Sequence, residues 1–303
     1  MKIDLRIGGY GLRLEEPEDY PSRHWPLEPF DPFLAPSEAP PDIDLTINVV
    51  RQLPEISLDA LLFDSCHGLW KLYEASDGYV LECVDPKTLS LRSRTELSRD
   101  FSRGAVWLRG RSVRQRRQLG WAPVDVLNPI AEICLVTRLA REGGILLHAA
   151  GVLTERDGWV FTGPSGAGKS TLTDFFAATR ACALCDERVI IRNVAGEFTV
   201  FGTPWPGTGR QPINSSGSLT ALCCITHGRD AHVLHRMSAR EASQFVLQQS
   251  FLPHWDRDAM DRTLEFLVEL VERVDCYGLA FVKNPDVVEY LAGRSLGGSV
   301  VPS

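Results

Sequence analysis

A chain of 303 residues with 44% hydrophobic side chains can bury one large core or two modest ones, which excludes disorder throughout. Its formal charge of −7 and pI near 5.6 oppose nucleic acid as a principal partner, because affinity for a phosphate backbone needs a surplus of Lys and Arg. The opening Met1-Lys2-Ile3-Asp4-Leu5-Arg6 has no signal-peptide pattern and no segment has the apolar length of a bilayer span, so the expectation is a cytoplasmic protein without a membrane partner.

Prolines recur from Pro17 to Pro41 and predict an extended or looping segment, since each fixes φ and removes an amide donor. Strands follow. Ile43, Leu45, Ile47 and Val49 alternate with polar residues, and residues 69–73 and 79–84 flank the turn sequence Ser76-Asp77-Gly78. Further strands are expected at 88–92 and 105–108. Five arginines between Arg109 and Arg117 read as a solvated loop or, alternatively, a surface for an acidic partner. Residues 1–122 are thus expected to form a β-rich N-terminal domain, and residues 123–303 a second domain.

The second domain opens with a helix expected over 127–141, stopped by Gly143-Gly144. Residues 145–153 and 159–162 predict a hairpin around Asp157-Gly158, followed by a helix over 169–179 and a strand over 182–186. Another hairpin is expected at 188–192 and 198–201 around Ala195-Gly196. Ser238-x-x-Glu241 is a capping box that opens a helix to about residue 251, and a second helix is expected over 257–274. Strands and helices mix without regular βαβ alternation, so the fold class predicted is α/β with a mixed sheet and flanking helices. The eight cysteines are scattered, several inside apolar runs, and read as reduced, buried thiols. Cys182-x-x-Cys185 has metal-ligand spacing, but i and i+3 on a strand face opposite ways, and Cys223, Cys224, His227, His232 and His235 lack zinc spacing.

Gly163-Pro164-Ser165-Gly166-Ala167-Gly168-Lys169-Ser170-Thr171 fits G-x-x-x-x-G-K-[ST] completely, with an apolar strand before it and a helix pattern after it. The glycines let backbone N–H groups converge on phosphate oxygens, and the helix N-terminus adds partial positive charge where the anion sits. Lys169 is expected to bridge the β- and γ-phosphates of ATP, and the Ser170 hydroxyl to ligate Mg²⁺. Asp186-Glu187 at a strand end supplies two carboxylates, one to hold the metal and one to take a proton from an acceptor hydroxyl. His148 lies in an otherwise apolar strand leading toward the loop.

The ordered set of His148, the hairpin, the loop 163–171 and Asp186-Glu187-Arg188-Val189 resembles the catalytic domain of HPr kinase/phosphorylase and its HPr-kinase-like relatives, which share a phosphate-loop fold with phosphoenolpyruvate carboxykinases. The resemblance covers roughly residues 125–292. It implies Mg·ATP, transfer to a serine or other hydroxyl, and frequently a homo-oligomer. By position Asp186 matches the catalytic carboxylate, Glu187 the second acid associated with the metal, and His148 a histidine close to the phosphate and the catalytic acid.

Two features depart from that pattern. The family's usual Asp-Asp is Asp186-Glu187 here, a longer arm that can still ligate Mg²⁺ with a shifted geometry. The Arg-Gly-Leu-Gly signature of HPr kinases is replaced by the segment 201–210, similar to relatives that modify peptides, such as lasso-precursor kinases, so the resemblance leaves HPr as acceptor and a reverse phosphorylase reaction open. In that segment Thr203, Trp205 and Arg210 are candidate acceptor-site residues, with a rigid surface turn that tucks Trp205 into the core as the alternative. The reading is therefore an ATP- and Mg-dependent kinase acting on a hydroxyl of a protein or peptide. Its alternatives are a small-metabolite kinase of the same fold and a nucleotide-binding regulatory or assembly protein without phosphotransfer.

Overall fold

The computed structural model describes residues 2–16, 27–36, 39–113, 118–207 and 211–293. Arg210, the arginines at 114, 116 and 117, and most of the proline-rich segment lie outside the described residues. Within those bounds the chain is a mixed α/β protein with two large mixed sheets. It divides into a unit of Met1–Arg138 with Pro253–Met260 and a unit of Leu139–Leu252 with Asp261–Ser303, whereas the sequence reading set its boundary at 122/123.

The first unit is built on β1 (Lys2–Ile7), β2 (Tyr10–Glu15), β3 (Ile43–Val50), β4 (Leu61–Asp64), β5 (Trp70–Ala75), β6 (Gly78–Val84), β7 (Leu91–Ser98) and β8 (Arg103–Arg109). These form one sheet in the order β1-β2-β3-β8-β7-β6-β5-β4, and β9 (Arg111–Val113) with β10 (Gln118–Gly120) forms a separate ribbon. Pairing is antiparallel except at β2–β3 and β3–β8, which are parallel. Period-two patterning explains the core: Ile43, Leu45, Ile47 and Val49 of β3 are buried while Asp44, Thr46 and Asn48 alternate with them on the opposite face. The strand expected at 88–92 begins instead at Leu91. Asp85 Oδ1 accepts from the N–H groups of Lys87 and Thr88, which commits those residues to a side-chain-closed turn.

The helix expected over 127–141 is also shortened. A single turn, α1 (Val124–Val126), precedes Asn128, which is extended at φ −129° and ψ 119° because a residue before proline is pushed out of the helical region. Regular helix α2 then runs Glu132–Arg141, and Gly143 at φ +80° ends it as expected.

The second unit contains β11 (Gly144–Leu153), β12 (Gly158–Thr162), α3 (Lys169–Ala177), β13 (Cys182–Cys185), β14 (Arg188–Val194), β15 (Glu197–Gly202), β16 (Ser216–Ser218), β17 (Ala221–His227) and β18 (Val233–Arg236). After these come α4 (Ala239–Gln249), α5 (Arg257–Arg273), β19 (Asp275–Phe281) and α6 (Val287–Ala292). The sheet order is β16-β15-β14-β11-β12-β17-β19-β18, with β13 also pairing with β11. The strands β12, β17 and β19 are parallel, so their carboxyl ends reach the same edge. One face packs Val160, Leu222 and Cys224 against Val246 and Leu270 of α4 and α5. On the other, Phe161, Cys223 and Ile225 pack against Leu172 and Phe176 of α3 and Leu291 of α6. Burial on both faces explains the unbroken apolar runs in these strands, and each large apolar side chain so buried contributes about 1.5–3 kcal/mol.

The capping box is formed as expected: Ser238 Oγ accepts from Glu241 N–H and Glu241 Oε2 accepts from Ser238 N–H. All eight cysteines are free, and burial pushes the thiols of Cys83 and Cys134 up to about 12. Among the described residues no helix is long and apolar enough to cross a membrane.

Candidate functional site

The central strand β11 positions the site. Its first half pairs with β14 and its last residues with β13, on the same edge, so the chain must bend where one partner gives way to the other. Asp186 and Glu187 occupy that bend, tied down by Ala149 N–H donating to Glu187 O at 3.0 Å. A break in pairing re-aims side chains, as bulges do, and here it turns two consecutive carboxylates out of the sheet pattern. His148 stands opposite Arg188 across the β11–β14 ladder, and its Nε2 is 3.2 Å from Glu187 Oε1.

On the other edge of β11, β12 runs into the loop 163–171 and then α3. Two loop glycines have left-handed backbone, Gly166 at φ +80° and Gly168 at φ +105°, and a Cβ on Gly168 would lie 2.7 Å from the Phe281 ring. At Gly168 the loop backbone thus packs directly against Phe281 at the end of β19. Lys169 is only 5% exposed, and its Nζ donates to Gly163 O at 2.9 Å and Pro164 O at 3.3 Å. Burial lowers its pKa below the ordinary lysine value, a shift opposed by the charges of Glu187 and Asp186.

Loop and bend face one cavity of about 480 Å³. One wall is Ser165, Gly166 and the run Gly168 to Thr171; the other carries Glu187, Arg188, Pro206 and Gly207, and Lys283 completes the lining. Asp186 is 2% exposed behind this wall. Gly207 N–H donates to its Oδ1 at 2.9 Å, while its Oδ2 is buried with no hydrogen-bond partner among the described residues. Burial and the Lys169 charge lower the His148 pKa below its ordinary value, outweighing Glu187 and Gln249, which favour the cation.

The structure brings most of the expected residues together. Ser165, Gly166, Gly168, Lys169, Ser170, Thr171 and Glu187 line the cavity, Gly163 accepts from Lys169, and Asp186 and His148 sit directly behind Glu187's wall. Ala167 is buried in the core beneath the loop. Thr203 and Trp205 are not brought to the cavity: Thr203 is fully buried, its hydroxyl donating to Arg188 O at 2.7 Å, and Trp205 is 4% exposed, its carbonyl facing Cys185 Sγ. Their segment contributes Pro206 and Gly207 instead. Arg210 lies outside the described residues.

Sequence reasoning missed Gly207, which holds Asp186, and Lys283. For Lys283 a signal existed: the apolar run Leu279 to Val282 spans the end of β19, and ligands of open α/β sheets gather at the carboxyl ends of parallel strands.

A mobile-phosphate cradle needs amides free of Cβ atoms, a cation and nearby carboxylates, and all three are present around this cavity. Ser170 and Glu187 would be the metal-facing residues. Among the described residues no three His, Cys, Asp or Glu side chains form a cage. That donor set fits Mg²⁺ shared with substrate phosphates, which usually takes one or two carboxylates from the protein.

No protein-family model matches the chain, and no curated protein matches it. Among solved structures, the HPr(Ser) kinase/phosphatase from Coxiella burnetii is similar over 49% of this chain and 93% of its own, at 11% identity and a TM-score of 0.31. The functional reading rests on the side chains around the cavity and not on that likeness.

Proposed function

We propose that the chain is an ATP- and Mg²⁺-dependent phosphotransferase that moves the γ-phosphoryl group to a hydroxyl acceptor, a serine of a protein or peptide, using an HPr-kinase-like phosphate-loop domain. One observation carries the reading: a buried lysine on a glycine loop and a carboxylate bend face each other across a single cavity. The amides of Gly166 to Lys169 and the Lys169 ammonium hold the phosphate tail. Ser170 and Glu187 would hold Mg²⁺, which would supply Lewis-acid stabilisation of the charge that develops on the phosphate.

Asp186 is the base. Gly207 N–H fixes Oδ1, which leaves Oδ2 to accept the proton of the incoming hydroxyl. As that proton moves, the acceptor oxygen bonds to the γ-phosphorus, and the bond from this phosphorus to the β–γ bridging oxygen breaks to release ADP. Neutral His148 donates to Glu187 and orients it without adding charge. The acceptor class rests on the sequence resemblance to peptide-modifying relatives.

A second reading, a nucleotide-responsive regulator without transfer, is favoured by one feature: Asp186 is only 2% exposed beneath Gly207. Labelled ATP, Mg²⁺ and serine peptides separate the two. Lys169→Ala should abolish nucleotide binding, whereas Asp186→Asn should keep affinity and lose transfer by about 10²–10⁴-fold, the usual worth of a general base. Full transfer by the Asn variant would falsify the assignment of the base, and tight binding by the wild type with no labelled product would favour the regulator.

A further inference from the structure

We propose that Lys283 is a second cation for the phosphate tail of the ligand, acting from the end of β19 at the mouth of the cavity. The inference rests on the phosphotransferase reading and adds a residue to it that the loop motif does not contain. Three observations converge.

The first is placement. Lys283 follows β19, whose Phe281 ring lies against Gly168, so the strand end and the loop are held together by direct packing. Glycine at 168 is what allows this, because a Cβ there would meet the ring at 2.7 Å. The backbone at Lys283 is therefore held beside the loop, and Lys283 lines the same cavity as Ser165, Gly166 and Lys169.

The second is charge. The cavity lining carries Lys169, Arg188 and Lys283 but a single acid, Glu187. Such a wall favours a polyanion, and Mg·ATP remains an anion after its metal is counted. The third is a division of labour. Lys169 is buried at the floor and already engaged by two loop carbonyls, whereas Lys283 is exposed at the rim with its stem free to swing. A buried lysine fixes the innermost phosphates and a rim lysine meets the rest of the tail as it enters. Arg188 is less suited to this task, because its guanidinium is held over the Phe251 ring at 4.9 Å.

The test is calorimetric titration of the full-length chain with Mg·ATP and with magnesium tripolyphosphate, which has the phosphates but neither base nor sugar. Lys283→Gln should weaken both ligands by a similar factor, about fivefold to tenfold, as expected for one charge-assisted contact at a partly exposed site. Lys283→Arg, which keeps the charge, should stay within about twofold of the wild type. Equal affinities for wild type and Lys283→Gln would overturn the proposal, and so would a loss confined to Mg·ATP, since Lys283 would then read the nucleoside. A wild type that takes Mg·ATP but not tripolyphosphate also overturns it. A wild type that binds neither ligand removes the phosphotransferase reading as well, whereas binding lost in Lys169→Ala but unchanged in Lys283→Gln removes this inference alone.

Discussion

The two units treat buried charge in opposite ways. In the first, Arg94 Nε is 2.7 Å from Glu82 and its guanidinium also donates to Pro54 O at 2.6 Å, and Arg92 is 2.9 Å from Asp125, with every side chain in these pairs at most 20% exposed. The desolvation cost of each charge is offset by a partner already in the fold. In the second unit, among the described residues, Lys169 donates to two carbonyls, and one oxygen of Asp186 is buried with no partner. The first unit has exceptions: Arg92 Nε and Asp44 Oδ1 also lack hydrogen-bond partners among the described residues, and burial raises the Asp44 pKa. Asp186 instead sits within the field of Lys169. The lesson is that the first unit satisfies its charges by folding, while the second leaves satisfaction to what enters the cavity.

The most damaging way to break this contrast is to disturb the loop that keeps Lys169 in place. Gly168→Ala puts a Cβ on a φ of +105° and 2.7 Å from a ring that is 1% exposed, so neither backbone nor neighbour yields cheaply. A left-handed conformation forced on an L-residue costs about 1–2 kcal/mol and overpacking typically about 1–3 kcal/mol, so a loss of about 2–5 kcal/mol is expected in denaturant unfolding. Affinity for Mg·ATP should fall with it, because the amide at 168 and the lysine beside it move together. An unchanged denaturation midpoint would show that the loop is looser than its packing against Phe281 implies.

How much of this was legible beforehand varied with the range of the interaction responsible. The loop, the hairpin of β11 and β12 and the capping box were readable because each is closed by residues a few positions apart, such as Ser238 with Glu241. The β1–β2 hairpin was equally local, with Gly8 and Gly9 at φ +59° and +87° between alternating apolar runs, and was overlooked. Strand β17 was seen only as an apolar run around Cys223 and Cys224, since burial on both faces erases the alternation that marks a strand. Gly207 was not legible in the site, because its role depends on a hydrogen bond to Asp186, 21 positions away, and Lys283 had only the strand-end rule as a signal, because its place depends on Phe281 packing against Gly168, 113 positions away.

A smaller effect sharpens the first unit's side of the comparison. Glu82→Ala leaves Arg94 with its bond to Pro54 O but removes its carboxylate, in a pair with side chains 20% and 15% exposed. Solvent at the edge of the pair discounts the loss, which should be about 1–2 kcal/mol by chemical unfolding. Affinity for Mg·ATP should not change. A cost within about 0.3 kcal/mol of zero would mean that water already screens the pair and that the first unit holds its charges no more firmly than the second.

The smallest effect is a pH dependence, and its sign follows from His148. Burial and the charge of Lys169 hold its folded pKa below the ordinary 6.5, and the bond to Glu187 only partly restores it. An unfolded chain therefore takes up this proton at a higher pH than the folded one does. The stabilisation tied to the neutral imidazole is complete above the unfolded value and is lost as pH falls from 6.5 through the folded pKa. His148→Gln should remove that part of the slope of unfolding stability against pH, and the His148 ring proton resonance should titrate below 6.5 in the wild type. Magnesium tripolyphosphate should move this titration midpoint upward, because an anion beside Lys169 cancels the charge that opposes protonation. A ring that titrates above 6.5 without ligand would mean that Glu187 outweighs burial and Lys169 together. Glu187 would then be committed to an internal ion pair like those of the first unit, and it would not be available to face a metal.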